Sequence, residues 1–308
     1  MSFPFSSGLS IDSAGGPKKV ESMLRQKLRW LLGAGLLGLT LVGATPGVAA
    51  EPEETRAKVL FVGKQPDHPY GSHMYLHTCG MLAECLTHTA GVETVVSDGW
   101  PKDPKTLQGV TTIVVYTTPG AEFLLDGPHR DQFAGMMKRG VGLVTLHWAS
   151  AIRQANVERL GPIWLGVLGG TWVSNVGLHT GESRLEQLQP EHPICRGWKP
   201  YDLHDEYYLN PTITPQAAPL LQVTAKEKPV VVGWTFEREG GGRSFGTTLG
   251  HYYRNFEREP FRQMVVNGIL WTAQLEVPAQ GASIQVSAAK LSLPPDPAPR
   301  SPAAPRRK

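Results

Sequence analysis

Cysteine is scarce: Cys79, Cys85 and Cys195 are the only three in 308 residues. An odd count excludes a closed disulfide framework. Cys79 and Cys85, six positions apart on one predicted helix, face different sides of it, and all three read as small buried apolar residues. Charge of one sign is missing as well. Residues 1–50 carry five Lys/Arg against two Asp/Glu, which accounts for the net charge of +3 and leaves 25 of each in the remainder. That balance offers no electrostatic footprint for nucleic acid. Long apolar runs are absent apart from residues 30–42, which are too few for a permanent membrane span. Leu165-Gly166-Val167-Leu168-Gly169-Gly170-Thr171-Trp172 is rich in glycine but lacks Gly-Lys-Ser/Thr, which excludes a phosphate-binding loop.

The two ends read as something other than fold. From Met23, the basic stretch Leu24-Arg25-Gln26-Lys27-Leu28-Arg29 precedes the uncharged residues 30–42 and then Pro46-Gly47-Val48-Ala49-Ala50. This basic, apolar, small-residue order predicts a signal peptide cleaved before Glu51, with Met23 as the start and a periplasmic or secreted product. No Cys stands at the cleavage point, so a lipid anchor is not expected. Residues 278–308, rich in Pro and Ala and closing on Arg306-Arg307-Lys308, predict a disordered tail. The expected organisation is an N-terminal extension and signal peptide over 1–50, one domain over 51–277 and the tail over 278–308, with ample length for a single core.

What is present is an alternation of apolar runs with helical periods. Lys58-Val59-Leu60-Phe61-Val62-Gly63 predicts a buried strand, residues 92–97 and 111–117 two more, and Val141 to Thr145, within Gly140-Val141-Gly142-Leu143-Val144-Thr145-Leu146-His147, a fourth. Helices are predicted over 72–89, over 126–139 with Gly140 as C-cap, and over 260–272, where Phe261, Met264, Val265, Ile269 and Leu270 recur at helical spacing. Such alternation predicts an α/β fold with a parallel sheet covered on both faces. Residues 229–236 and 243–249 predict a hairpin around a glycine-rich turn. Regularity breaks down over 153–210, where only 183–188 suggests a strand.

Three histidines stand where strands stop: His68 in Gln65-Pro66-Asp67-His68-Pro69-Tyr70-Gly71, His147 after Leu146, and His251 in Gly250-His251-Tyr252. Open α/β sheets place ligands at the carboxyl ends of their strands. The three imidazoles therefore predict one shared site, with His147 and His251 within about 10 Å at ~4.8 Å per strand. His204-Asp205-Glu206-Tyr207-Tyr208 adds a carboxylate from Asp205 or Glu206. Two chemistries suit this set. One is a divalent metal such as zinc on His68, His147, Asp205, Glu206 and His251; the other is catalysis by His147, Glu206 and His251, with a histidine base oriented by a carboxylate. His73, His77 and His88 are expected as surface or capping side chains of the first helix, and His192 as a turn residue before Pro193. Trp148, Trp172, Tyr207 and Tyr252 suit either stacking on sugar rings or plain core.

The chain also resembles a family. Gly140 to Ala149, Leu168-Gly169-Gly170, Glu191-His192-Pro193-Ile194, His204 to Tyr208, Pro229 to Trp234, Gly241-Gly242-Arg243 through Leu249-Gly250-His251, and Asn267-Gly268-Ile269-Leu270-Trp271 follow one another as in the ThuA-like (trehalose utilisation) proteins of the class I glutamine amidotransferase-like superfamily. The resemblance spans residues 58–273. It implies a flavodoxin-like three-layer α/β sandwich with a mostly parallel central sheet, and a role in carbohydrate catabolism. Amidotransferases of the superfamily present a nucleophilic cysteine at the strand-to-helix elbow; here that place falls to His147, so thiol-dependent glutamine hydrolysis is not expected. The family's usual Gly-His after the first strand is replaced by Pro66-Asp67-His68-Pro69. Two functional classes follow: an exported enzyme, a hydrolase or lyase acting on a small saccharide or oxidised saccharide, or a non-catalytic sugar-binding or accessory module with the same pocket.

Overall fold

The computed structural model describes residues 57–174 and 176–297. The predicted signal peptide lies outside the described residues. Among them, no helix is long and apolar enough to cross a membrane.

The chain opens with β1 (Ala57–Gly63), α1 (Tyr75–Leu86), β2 (Val92–Asp98) and β3 (Val110–Val115). It continues through α2 (Gly120–Leu125), α3 (Arg130–Lys138) and β4 (Gly142–Leu146), with a 3-10 turn over His147–Ser150. Next come β5 (Ala151–Ile152), α4 (Val157–Leu168), β6 (Gly170–Val173), β7 (Leu178–Gln187), β8 (Tyr201–Tyr208) and β9 (Thr212–Ile213). Then β10 (Ala218–Ala225), β11 (Lys228–Glu237) and β12 (Arg243–Thr247) lead to α5 (Tyr253–Phe256), α6 (Glu259–Thr272) and α7 (Ala288–Leu291).

A nine-stranded sheet in the order β2-β1-β3-β4-β12-β11-β10-β7-β8 forms the middle layer. Side chains alternate across it, so β1 feeds two cores. Val59 and Phe61 join Leu82 on α1 and Met264 and Val265 on α6, whereas Leu60 and Val62 join Leu124 on α2, Phe133 on α3 and Trp164 on α4; all of these are 0% exposed. Each such side chain contributes about 1.5–3 kcal/mol, and Phe61→Ala would cost about 3–5 kcal/mol through the cavity it leaves.

The expectation of a mostly parallel sheet is corrected. β2, β1, β3, β4 and β12 pair in parallel, but β12-β11, β11-β10, β10-β7 and β7-β8 are antiparallel. The predicted hairpin is the pivot: β12 lies parallel to β4 on one side and antiparallel to β11 on the other. Residues 183–188 foretold only the second half of β7, which is exposed or half-exposed at nine of its ten positions and so carries no long apolar run; β8 and β10 were not predicted.

β10 and β7 pair through only two residue pairs, Leu221 with Gln187 and Gln222 with Glu186. The β7-β8 hairpin is thus free to fold back over the sheet. Flat, β8 would stand about 24 Å from β4, five strands away at ~4.8 Å each. Instead the Tyr208 hydroxyl at the end of β8 lies 3.1 Å from the His147 imidazole.

Composition predicts a tail from residue 278, but residues 278–297 lie against the domain. Gln263 donates to the Ala282 carbonyl at 2.8 Å, the Ser287 amide donates to Glu84 at 2.7 Å and the Tyr253 hydroxyl donates to the Leu291 carbonyl at 2.6 Å. Ala282 is buried. Few apolar contacts are needed where existing side chains satisfy the backbone of the added segment.

Candidate functional site

Each site histidine is placed by the chain around it. Two of them, His73 at φ +50° and His147 at φ +53°, lie in the left-handed region. That conformation costs a side chain other than glycine on the order of 1 kcal/mol, and such strain gathers at functional sites.

His147 follows β4 directly and is fully buried. Its Nδ1 lies 2.8 Å from the Thr248 carbonyl oxygen. A carbonyl only accepts, so Nδ1 carries the proton and Nε2 presents a lone pair. The Tyr208 hydroxyl donates to that nitrogen at 3.1 Å. His73 precedes α1 and is 2% exposed. Its Nδ1 lies 3.0 Å from an Asp67 oxygen, which fixes the same tautomer and turns Nε2 inward.

His251 sits between them. Its Nδ1 is 3.1 Å from His73 Nε2 and 3.2 Å from His147 Nε2. Short backbone bridges hold the two loops together: the His73 amide donates to the His251 carbonyl at 3.0 Å and the Tyr253 amide to the Gly71 carbonyl at 2.8 Å. Gly250, at φ +107°, makes the turn before His251, a conformation only glycine adopts freely. Its amide donates to Asp205 at 2.6 Å and the His251 amide to the same carboxylate at 3.0 Å.

Glu206, beside Asp205 on β8, points into the cluster, with one oxygen 3.7 Å from both His147 Nε2 and His251 Nδ1. The expected proximity of His147 and His251 is thus observed, with ring centroids 5.1 Å apart. His68 lies at the mouth, its ring 3.6 Å from that of His73 and 5.6 Å from that of His251. Asp205 differs from its expectation as a ligand. It is fully buried and takes backbone amides from Glu206, Gly250 and His251, so it holds the His251 loop from behind.

His73 corrects the expectation of a surface or capping side chain. A helix predicted from Ser72 puts His73 and His77 on one helix face, but α1 begins only at Tyr75 and His73 belongs to the loop. Gly71, at φ +86°, is the signal that marks the segment as irregular. His77 is half-buried against the Tyr253 hydroxyl at 3.1 Å and His88 is exposed. His192 caps the turn at Pro193–Cys195 by accepting from the Ile194 amide. Tyr208, Thr248 and Asp67 were not singled out by sequence, since each acts by positioning a histidine rather than by a motif.

The electrostatics follow from burial. Burial holds the His147 imidazolium far out of reach, aided by repulsion from His73 and His251. Burial likewise lowers His73 to about 3 and His251 to about 4. Burial raises Glu206 above the usual carboxylate range, against the pull of His68. Asp205 is raised to about 7 by burial, offset by its backbone donors. Burial alone would raise Asp67, but hydrogen bonds from His68, His73 and Lys64 outweigh it and hold that carboxyl well below its ordinary value. The three cysteines are free and buried; burial pushes the Cys79 thiol up to about 12, and such a thiol is a poor nucleophile.

The ligand atoms of His73, His147 and His251 lie within 4.8 Å of one another. Zinc–nitrogen bonds of about 2.0–2.1 Å place neighbouring ligands of a tetrahedral site about 3.3 Å apart; the two separations that involve His251, 3.1 and 3.2 Å, lie near that value, and the His73 and His147 nitrogens lie within 4.8 Å of each other. Asp67, His68 and His73 form a second such group. There, however, one Asp67 oxygen already accepts from His68 at 2.8 Å, His73 at 3.0 Å and the Tyr75 hydroxyl at 3.1 Å. Asp67 therefore has the arrangement of an outer carboxylate that orients a histidine ligand.

Trp148 is half-buried, its ring 5.9 Å from those of His68 and His73. Trp172 stacks on Tyr208 at 4.1 Å, Tyr252 lies against His251 at 4.5 Å, and Tyr207 is core.

No characterised protein compared with the chain matches it. Among solved structures, a ThuA-like protein from Bacteroides uniformis superposes with a TM-score of 0.56 at 18% identity, over 73% of this chain and 94% of that one; at that identity the likeness concerns the fold. A glutamine amidotransferase from Thermotoga maritima gives a TM-score of 0.47 at 10% identity, over 71% of this chain and 99% of that one. The family model described as ThuA, trehalose utilisation, matches residues 41–272, most of the chain, and the protein therefore belongs to the ThuA family.

Proposed function

We propose that this ThuA protein is an exported enzyme of carbohydrate catabolism whose centre takes a divalent cation such as zinc on His73, His147 and His251. The observation that carries the reading is the pair of 3.1 and 3.2 Å nitrogen separations in a set where His73 and His147 each have their other ring N–H anchored outward. Lone pairs so arranged repel unless a proton or a cation stands between them. With His251 protonated at Nδ1, a single shared N–H serves; with His251 protonated at Nε2 and the Tyr208 hydroxyl turned from His147 Nε2, three ring nitrogens within 4.8 Å of one another are free for one cation.

A cation bound there supplies Lewis acidity toward a sugar carbonyl or hydroxyl. The chain's own residues supply the rest. Glu206, its carboxyl raised by burial and 3.7 Å from two of the imidazoles, is placed to take a proton from a sugar hydroxyl or carbon and return it to a leaving oxygen, the chemistry of a hydrolase or lyase. Tyr208 holds a donor at the same point. His68, exposed at the mouth, faces arriving substrate. Family membership supports a saccharide or oxidised saccharide as substrate. Elemental analysis of the purified protein, paired with turnover of trehalose and its oxidised derivative, tests this: about one zinc per chain with turnover is expected. Metal-free protein that gains neither zinc nor activity on reconstitution overturns it, and sugar binding without turnover makes the chain the accessory module instead.

A further inference from the structure

Beside the histidine cluster, on the solvent side of His68, lies a cavity of about 700 Å³, within the range of small-molecule sites. One wall is the loop after β1, with Gln65, His68 and Tyr70; the other is the C-terminal segment, with Asp296 and Pro297, and Met74 also lines the cavity. The loop that carries Asp67 and His68 is thus shared by the cluster and the cavity. Tyr70 fastens the two walls, its hydroxyl donating to the Pro294 carbonyl at 2.5 Å, while 42% of the residue stays exposed. A tyrosine whose hydroxyl is tied down and whose surface remains open is a fixed platform for a sugar ring.

The second wall lies beyond the part of the chain that the family match covers. The family match ends at residue 272, and the segment beyond it runs across α1 and α6 through the contacts of Ala282, Ser287 and Leu291 already described. Its placement is firm enough to shape a site: Val277 is 2% exposed, the Ala282 amide donates to Asn267 at 2.9 Å, and α7 forms before Pro294.

We propose that the C-terminal segment and the β1 loop form a saccharide subsite, in which Tyr70 stacks on, and Asp296 hydrogen-bonds to, the sugar unit that does not react. The inference rests on the carbohydrate reading above and adds which part of the chain selects for a second ring. Its chemistry is that of a neutral polyhydroxyl ligand: a carboxylate and an amide for hydroxyls, an aromatic face for C–H groups, and no cluster of like charge.

Calorimetric titration of the zinc-loaded full chain with trehalose and with glucose, in the parent and in Tyr70→Ala and Asp296→Ala, tests it. The expected result is at least a tenfold loss of trehalose affinity in both variants, with glucose affinity within twofold of the parent and zinc content unchanged. Variants that bind trehalose as tightly as the parent, or that lose both sugars equally, overturn the subsite while leaving the carbohydrate reading of the histidine centre standing. A parent that binds neither sugar overturns both.

Discussion

Replacing His147 with asparagine separates what this residue does for the fold from what it does for the centre. Asparagine tolerates the left-handed backbone better than most side chains, which matters at φ +53°. Its amide nitrogen occupies roughly the place of Nδ1 and keeps the bond to the Thr248 carbonyl, 2.8 Å in the parent. What disappears is Nε2, with the 3.1 Å bond from Tyr208 and the inward lone pair. The bond is worth about 1 kcal/mol, and the lost ring volume adds to that, for about 1–3 kcal/mol in all. For a domain of this size each kcal/mol lowers Tm by about 2–4 °C. His147→Gln reverses the pattern: its amide can still reach Tyr208, but the buried Thr248 carbonyl loses its donor at a cost of about 1–3 kcal/mol, and glutamine has no preference for the left-handed region. Melting of the metal-free proteins should therefore rank parent, then Asn, then Gln. Zinc affinity, measured by competition with a chelating dye, should fall by more than about 100-fold in both, because outer-shell changes alone cost about 10- to 100-fold. An Asn variant that melts early yet holds zinc as tightly as the parent would reduce His147 to a structural residue and refute the argument.

In the parallel half, β2, exposed or half-exposed throughout, was found by its β-branched residues, while β1, β3 and β4 were legible because they are buried on both faces. Val59 to Val62 and Leu143 to Leu146 appear as apolar runs for that reason, and a run that stops at His147 locates the carboxyl edge of the sheet. Of the antiparallel half, the β11–β12 hairpin and the second half of β7 were legible, but β8, β10 and the reversed direction of the sheet were not, since half-exposed strands dilute the apolar signal and their place depends on partners distant in sequence. The same physics divides the site. His147 and His251 were found as strand-end residues, and Glu206 as an acidic residue among aromatics. His73 was lost because one boundary, the start of α1 at Tyr75 rather than Ser72, decides whether its side chain runs along a helix or turns inward. Asp205 and Glu206, adjacent in sequence, could not be told apart by residue type. Alternation along β8 sends one carboxylate to the backbone of Gly250 and His251 and the other to the imidazoles.

Three further outcomes are expected. Protein recovered from its native envelope should begin near Glu51, as the order of basic, apolar and small residues before Ala50 requires; N-terminal sequencing that returns Met1 or Met23 contradicts export. Metal-free protein should lose stability as pH falls. Burial holds His73 at about 3 and His251 at about 4 in the fold against about 6.5 in the unfolded chain. Asp205, raised to about 7, and Glu206, also raised, oppose this by binding protons in the fold, but the three lowered imidazoles His73, His147 and His251 outweigh the two carboxylates, so the unfolded state binds more protons and stability declines from about pH 6.5 toward pH 4. A Tm that stays level or rises between pH 7 and pH 4.5 contradicts the burial of neutral imidazoles. Asp205→Asn should damage the centre without touching it. The carboxylate accepts the Glu206 and His251 amides on one oxygen and the Gly250 amide on the other, whereas a carboxamide offers one oxygen and turns a donor toward the remaining N–H. One buried amide is left facing a donor, at about 1–3 kcal/mol, and relief comes through movement of the Gly250–His251 backbone. Zinc affinity should then fall with stability, while Asp202→Asn, at an exposed position of the same strand, changes neither. An Asp205→Asn protein with parental Tm and parental zinc affinity would show that the His251 loop holds its place without this carboxylate.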